Sequence, residues 1–330
     1  MRVLGPLRAS FVVLLTSTLL AAGCGSDTRG TEGAGGGTAQ GFPVTVTNCG
    51  VTTTFDLPPT RAVTLNQHAS ENLLALGLEK SMRGTAYLDD RILPEYQAAY
   101  DTVPVLAKEY PSYESLLAAE PDFVYGGYAS AFDEKEGRGR QRLIDAGIAT
   151  RLSGEECTTG PVSQSQLDDE IRSLGTIFGV QDRADQQIEQ MHQTLASVEA
   201  KIAGATPVRL AVYDSGETTV YTAGGTGISN EIIKAAGGIN LFADLPKLWA
   251  DVSFEQFAER NPDVIVIYDY GDQPVEQKEK FLLEHPVLQQ VSAIRNKRFA
   301  VLPLSTVVLS VRVPSAVKSL AEQLHPDRFQ

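Results

Sequence analysis

One phrase occurs twice in this chain, and it constrains the fold more than any other feature. Residues 112–124 read Ser112-Tyr113-Glu114, then Glu120-Pro121-Asp122-Phe123-Val124. Residues 253–265 read Ser253-Phe254-Glu255, then Asn261-Pro262-Asp263-Val264-Ile265. In both, Ser leads Glu by two residues, Glu leads Pro-Asp by seven, and an apolar run follows. Two copies of one local pattern predict two similar lobes, each presenting a carboxylate at an equivalent place. Such a chain binds something between its lobes or docks both lobes on one partner.

The flanking patterns agree. Residues 62–65, 82–86, 122–125 and 148–152 read as strands, and 208–213, 263–268 and 298–302 repeat the plan. Helical patterns fall between them at 70–77, capped by Ser70, at 112–119 and at 138–146. In the second half they fall at 229–237, from Ser253, at 285–294 and at 315–324. Strands alternating with helices predict parallel sheets flanked by helices. Between the halves, Ala184, Ile188, Met191, Leu195, Val198 and Ile202 recur at spacings of three and four. That is one apolar face of a long helix, which at 1.5 Å per residue spans roughly 33 Å. A stiff helix between lobes predicts small opening motions. The expected fold is α/β: two Rossmann-like lobes joined by a single long α-helix, with a ligand cleft between them.

The front end differs from the rest. Arg2 and Arg8 precede an apolar stretch from Phe11 to Ala22, which is the pattern of an export signal and short for a bilayer span. Leu19-Leu20-Ala21-Ala22-Gly23-Cys24 resembles a bacterial lipobox, with Ala21 where Leu is more usual; the resemblance implies lipidation of Cys24. Gly-, Ser- and Thr-rich residues follow and read as a leash. The expected divisions are a signal over 1–23, the lipidated Cys and tether over 24–43, an N-terminal lobe over 44–181, the connecting helix over 182–204 and a C-terminal lobe over 205–330. The protein is expected outside the cytoplasmic membrane, anchored to its outer face. With Cys24 acylated, Cys49 and Cys157 remain as an even pair in an oxidising compartment, and a disulfide between them is expected. Two buried free thiols are the alternative.

Charge excludes one class of partner. Without residues 1–23 the 28 Lys and Arg fall to 26 against 41 Asp and Glu, a net −15. Nucleic acid, which needs a basic footprint, is not expected.

Ordered along the chain are Pro59-Thr60-Arg61-Ala62-Val63, Glu71 with Leu74-Ala75-Leu76-Gly77, Pro111-Ser112-Tyr113-Glu114, Glu120-Pro121-Asp122, Ala236-Gly237-Gly238-Ile239-Asn240, Asn261-Pro262-Asp263 and Ala293-Ile294-Arg295-Asn296. On these the chain resembles class III substrate-binding proteins of bacterial ABC importers, the branch carrying cobalamin, haem and iron–siderophores, over about 46–328. The resemblance implies a receptor without catalysis that delivers its ligand to ABC permease subunits and works as a monomer. It also gives Glu114 and Glu255 a role: one per lobe, each pairs with permease arginines. As first-turn residues after Ser caps they also suit the helix macrodipole alone, but the duplication and the resemblance together favour docking.

Ligands of such sheets bind beyond the carboxyl ends of the strands. In the first lobe that rule points to Asn66, Gln67 and His68, to Tyr87 and Asp89, and to Tyr125 and Tyr128. In the second it points to Tyr213, to Tyr268 and Tyr270, and to Arg312, with Trp249 ahead of the Glu255 segment. The tyrosines suit a flat or bulky ligand held by stacking and hydrogen bonds. Arg312 is the basic residue placed for an anionic ligand, offset by Asp89, Asp214 and Asp269.

Four scattered His (68, 192, 285 and 325) and no Cys-x-x-Cys give no metal site of the protein's own. No cofactor is expected, beyond iron or cobalt chelated within the ligand. The Thr222-Ala223-Gly224-Gly225-Thr226-Gly227 run lacks both phosphate-loop spacings and reads as a turn into the helix containing Glu231. A secreted α/β hydrolase would need G-x-S-x-G, which is absent. A cell-surface sensor using the same cleft is the other alternative.

Overall fold

The structure, a computed structural model, describes residues 41–271 and 273–330. The signal, Cys24 and most of the tether lie outside the described residues.

The chain opens on an antiparallel hairpin, β1 (Val44–Asn48) and β2 (Val51–Phe55), turned at Cys49-Gly50, both left-handed at φ 51° and 79°. Short Thr-rich strands carry little apolar signal, and the sequence patterns do not reveal this hairpin. The N-terminal lobe then runs β3 (Ala62–Leu65), α1 (Gln67–Ala75), β4 (Met82–Ala86), α2 (Pro94–Tyr100), β5 (Val105–Ala107), α3 (Tyr113–Ala118), β6 (Phe123–Gly126), α4 (Arg140–Asp145), β7 (Ala149–Leu152) and α5 (Gln164–Phe178). Its sheet is parallel throughout, in the order β5-β4-β3-β6-β7.

Next comes α6 (Gln181–Ile202), the expected connecting helix, burying Ala184, Ile188, Met191 and Val198. The C-terminal lobe follows as β8 (Val208–Tyr213), β9 (Val220–Ala223), α7 (Ile228–Ala235), β10 (Gly238–Asn240), β11 (Trp249–Val252), α8 (Phe254–Arg260), β12 (Val264–Asp269), α9 (Val275–Glu284), α10 (Ser292–Arg295), β13 (Phe299–Pro303) and α11 (Val313–Leu324). Its parallel sheet has the order β10-β8-β12-β13, and β9 and β11 pair separately as an antiparallel ribbon.

The repeated phrase folds the same way twice. Ser112 and Ser253 cap α3 and α8, each accepting at 3.1 Å from the amide three residues on. Each helix ends on a left-handed residue, Glu120 (φ 51°) and Asn261 (φ 46°), ahead of Pro-Asp. The Asp122 amide then donates to Arg61 O and the Asp263 amide to Arg209 O, at 3.1 and 2.9 Å. Those bonds set β6 beside β3 and β12 beside β8. One local pattern thus docks one strand onto the sheet in each lobe.

Two boundaries differ from expectation. α1 starts at Gln67, after Asn66 at φ 91°. Ser70 lies inside it and ties it to the sheet, bonding Thr64 at 2.8 Å and Thr85 at 2.7 Å. The helix expected over 285–294 is broken into a short turn at Pro286–Leu288 and α10 (Ser292–Arg295), and the longer helix here, α9, lies immediately upstream. Pro286 holds His285 extended (ψ 121°), so the helix stops there.

Candidate functional site

The two lobes meet over α1. Glu71 on that helix is wholly buried, and Arg312 of the C-terminal lobe is 5 % exposed. The Arg312 guanidinium donates to both Glu71 oxygens, through Nε to Oε2 and through Nη2 to Oε1 at 2.6 Å. It also donates to Ser305 Oγ at 2.9 Å and to Arg91 O at 2.6 Å. Beside it, Asn72 Oδ1 accepts from the Val311 amide at 3.0 Å. A second crossing lies after β7, where Glu155 accepts from the Ile228 amide at 2.7 Å and the Leu309 amide at 3.0 Å. Burial pushes the Glu155 carboxyl up to about 7 against the pull of those two amides. The expected disulfide is present: Cys157, two residues on, bonds Cys49 with Cα atoms 5.3 Å apart.

Above this floor, the N-terminal wall is organised by Asn66 and Gln67. Asn66 Nδ2 donates to Tyr110 Oη at 2.9 Å, and its Oδ1 accepts from the Gly127 amide at 3.2 Å. Gln67 Oε1 accepts from the Asp89 and Asp90 amides, and its Nε2 donates to Asp90 Oδ1 at 2.7 Å. These side chains therefore shape the loops after β4 and β6. Tyr87, left-handed at φ 62°, packs on Tyr110 with centroids 4.6 Å apart and the ring planes tilted by 32°. His68 meets Tyr128 edge to face at 4.9 Å, and its ring lies so close to Gly127 that a Cβ there would sit 2.3 Å from it. Burial pulls the His68 pKa down to about 4, and its Nδ1 is buried without a hydrogen-bond partner. One Asp89 oxygen is likewise buried and unpartnered. Burial, then the neighbouring Asp90, pushes that carboxyl up to about 6.

The opposite wall comes from the C-terminal lobe. Tyr221 and Trp249, on the paired strands β9 and β11, stack at 5.8 Å, and Trp249 meets Tyr268 edge to face. Tyr270 donates its hydroxyl to Asp214 at 2.7 Å, while Lys278 Nζ lies 4.4 Å from the centre of its ring. A pocket of about 530 Å³ opens between the lobes here, with Asp89, Asp90 and Arg91 on one side and Asp269, Tyr270 and Arg312 on the other. The Gly-rich run packs on residues 243–248 instead of shaping a phosphate loop; a Cβ on Gly225 would lie 1.9 Å from Ala243 O.

Not every sequence candidate faces this space. Asp89, Tyr270 and Arg312 line the pocket, Tyr87, Tyr128 and Trp249 are partly exposed, and Asn66, Gln67 and His68 are buried. Tyr125, Tyr213 and Tyr268 are buried to 1 % exposure or less. Tyr125 donates to Glu170 at 2.6 Å and Tyr213 to Gly216 O at 2.8 Å. The reason is strand geometry: Tyr125, Tyr213 and Tyr268 still lie inside the parallel ladders and point at a sheet face. Arg312 is not a free cation, because Glu71 takes its charge. Tyr110 and Tyr221 pack on Tyr87 and Trp249, Glu155 crosses between the lobes and Glu156 holds the Ala129 amide, and the sequence reading did not single them out. For Glu155 and Glu156 the strand-end rule applied to β7 points directly at them.

Glu114 and Glu255 lie away from these contacts, exposed in the first turns of α3 and α8. The backbone amide and Ser253 at the start of α8 hold the Glu255 carboxyl below its ordinary range. Among the described residues no group of three or more His, Cys, Asp or Glu is placed to hold a metal ion, and no helix is long and apolar enough to cross a membrane.

Two parallel α/β lobes, a long helix between them and a pocket between the lobes are the form of a substrate-binding protein. The periplasmic binding protein family matches residues 63–306, and this chain belongs to that family. Its relatives there are binding proteins rather than enzymes. The vitamin B12-binding protein of Yersinia pestis (strain Pestoides F) is 26 % identical over 228 residues, covering 64 % of this chain and 77 % of that one. A periplasmic binding protein from Veillonella parvula superposes with a TM-score of 0.79 at 32 % identity, over 86 % of this chain and 97 % of its own. A protein of an ABC-type Fe3+-hydroxamate transport system from Saccharomonospora viridis gives 0.74 at 26 % identity, over 86 % and 99 %.

Proposed function

We propose that this protein is the extracytoplasmic receptor of an ABC importer. It captures a bulky chelate or cofactor in the inter-lobe cleft and hands it to a permease through Glu114 and Glu255. An iron–siderophore is the leading cargo, with cobalamin and haem next. The observation that carries this reading is the partly exposed aromatic cluster on each lobe: Tyr87, Tyr110 and Tyr128 on one, and Tyr221, Trp249 and Tyr270 on the other. Large rings and chelate shells are held by such faces, with the polar groups setting orientation. Acylation of Cys24 would hold the receptor beside its permease; mass spectrometry of the membrane-extracted protein tests that part.

Trp249 is the single tryptophan of the chain, and it stands in the proposed site. Absorbing chelates bound there quench its emission. Titration with ferric siderophores, a corrinoid and haem is expected to show saturable quenching by at least one, with a matching rise in Tm. Turnover of a small ester or peptide, with no quenching by any of these compounds, would overturn the reading.

A further inference from the structure

The cleft carries an unbalanced charge. Asp89, Asp90 and Asp269 line the inter-lobe pocket beside Arg91 and Arg312, and Glu155, Glu156 and Asp214 lie just after β7 and β8. Their hydrogen bonds come almost entirely from neutral donors. Glu155 takes backbone amides, Glu156 takes the Ala129 amide at 3.2 Å, and Asp214 takes the hydroxyls of Tyr270 and Ser215. Neutral donors satisfy the oxygens without cancelling their charge, while burial pushes the Glu155 and Asp214 carboxyls toward their neutral form.

Two of the cations nearby are already engaged. Arg312 is shared between Glu71 and Asp90, whose carboxylate lies 3.6 Å from its Nη1. Lys278 is 1 % exposed, and its ammonium donates to the Asp214 and Tyr268 carbonyls at 2.9 and 2.6 Å. Lys108, beyond β5, is exposed with Glu109 beside it, and Arg91 is exposed at the pocket rim. Arg138 lies behind Tyr110, its guanidinium 5.3 Å from that ring.

A second observation is independent of the charge count. One oxygen of Asp89 is buried at this pocket with no hydrogen-bond partner, although the Asp89 backbone is pinned by Gln67. A buried carboxylate oxygen without a donor is costly and calls for one. The aromatic faces add to this, since ring faces attract positive charge and carboxylates reinforce them. A polyanionic ligand would meet Asp89, Asp90 and Asp269, offset by Arg91 at the exposed rim and by Arg312, which Glu71 already pairs.

We propose that this cleft selects by charge: it accepts chelates of zero or positive net charge, with Asp89 receiving a cationic or hydrogen-bond-donating group of the ligand, and it rejects polyanions. The proposal rests on the receptor reading and narrows it. Ferric ion held by three singly deprotonated hydroxamates is neutral, and a free amine makes that chelate cationic. Ferric tris-catecholates and haem with its propionates are anionic. Among iron cargoes the hydroxamate type is therefore the one this cleft fits.

The test is quenching of Trp249 by four probes: an ammonium-bearing ferric trihydroxamate, aquocobalamin, a ferric tris-catecholate and haemin. The expected result is that the tightest probe is one of the first two, at least about tenfold tighter than either anionic probe. Added salt should weaken the binding of a cationic probe. Asp89→Asn, checked for an unchanged fold by circular dichroism, should weaken the bound probe by about tenfold and leave the anionic probes unweakened. Tighter binding of the catecholate or haemin would overturn the charge rule while leaving the receptor reading intact. Equal affinity of Asp89→Asn for the bound probe would remove Asp89 from it. Failure of all four probes to bind would overturn the receptor reading itself, and the proposal with it.

Discussion

Arg312 and Glu71 form a buried pair across the lobe junction, with the guanidinium donating to both carboxylate oxygens. They stand 241 residues apart in sequence, so the pair closes the whole chain on itself. Glu71 is wholly buried, and deleting its partner would strand a charge in the interior. Arg312→Leu is expected to cost about 3–5 kcal/mol of unfolding free energy. The Glu71→Leu/Arg312→Leu double variant should cost clearly less than the sum of the two single variants. Chemical denaturation of all four proteins measures this. Additive losses would show that the two residues act separately.

The Cys49–Cys157 disulfide spans 108 residues and joins the β1–β2 hairpin to the turn carrying Glu155. Closing a loop of that length restricts the unfolded chain by about 3–5 kcal/mol. Cys49→Ser/Cys157→Ser should therefore unfold at lower denaturant with a similar native spectrum. Because the turn also crosses to Ile228 and Leu309, ligand affinity should fall as well. Unchanged affinity in the destabilised variant would separate the disulfide from the cleft.

Acid acts on this protein through opposing groups. His68 has its folded pKa depressed from 6.5 to about 4, so its contribution is lost as pH falls through that window. Glu155 runs the other way. Its folded pKa is raised from 4.5 to about 7, so its contribution is complete below the lower value and lost as pH rises to the upper one. Asp89, raised from 3.8 to about 6, has the same sign as Glu155. Each proton of imbalance changes stability by about 1.4 kcal/mol per pH unit. Between pH 4.5 and 6.5 these slopes partly cancel. Relative to the native protein, Glu155→Gln should show a Tm that climbs with pH across that interval. His68→Asn should show one that falls more steeply. Parallel profiles for all three proteins would refute the assignment.

How much of this was legible depends on where information is stored along the chain. The lobes, the connecting helix and the docking of β6 and β12 follow from period, caps and the repeated phrase, all of which are local. The aromatic pairs Tyr87–Tyr110 and Tyr221–Trp249 depend on which loops the sheets bring together. A three-residue strand such as β5 gives no periodic signal to locate Tyr110. α9 was hidden because five of its ten residues are charged, even though Lys278 is one that it buries. The fate of Arg312 was hidden for another reason. A lone arginine after a strand reads as free until the fold sets Glu71 against it.

Glu114 and Glu255 give the final prediction, because they test the role of the repeated phrase directly. Both are exposed, both follow a serine cap, and neither is among the residues lining the inter-lobe pocket. A first-turn glutamate kept only for the helix macrodipole contributes about 0.3–1 kcal/mol. Glu114→Ala and Glu255→Ala should therefore change Tm by no more than a few degrees and leave Trp249 quenching by the bound probe unaltered. If these carboxylates dock the permease, uptake by cells carrying the double variant falls sharply, and charge reversal to Lys abolishes it. Normal uptake by the charge-reversed protein would return both residues to a purely local role in capping their helices. A loss of ligand affinity would instead place them in the cleft.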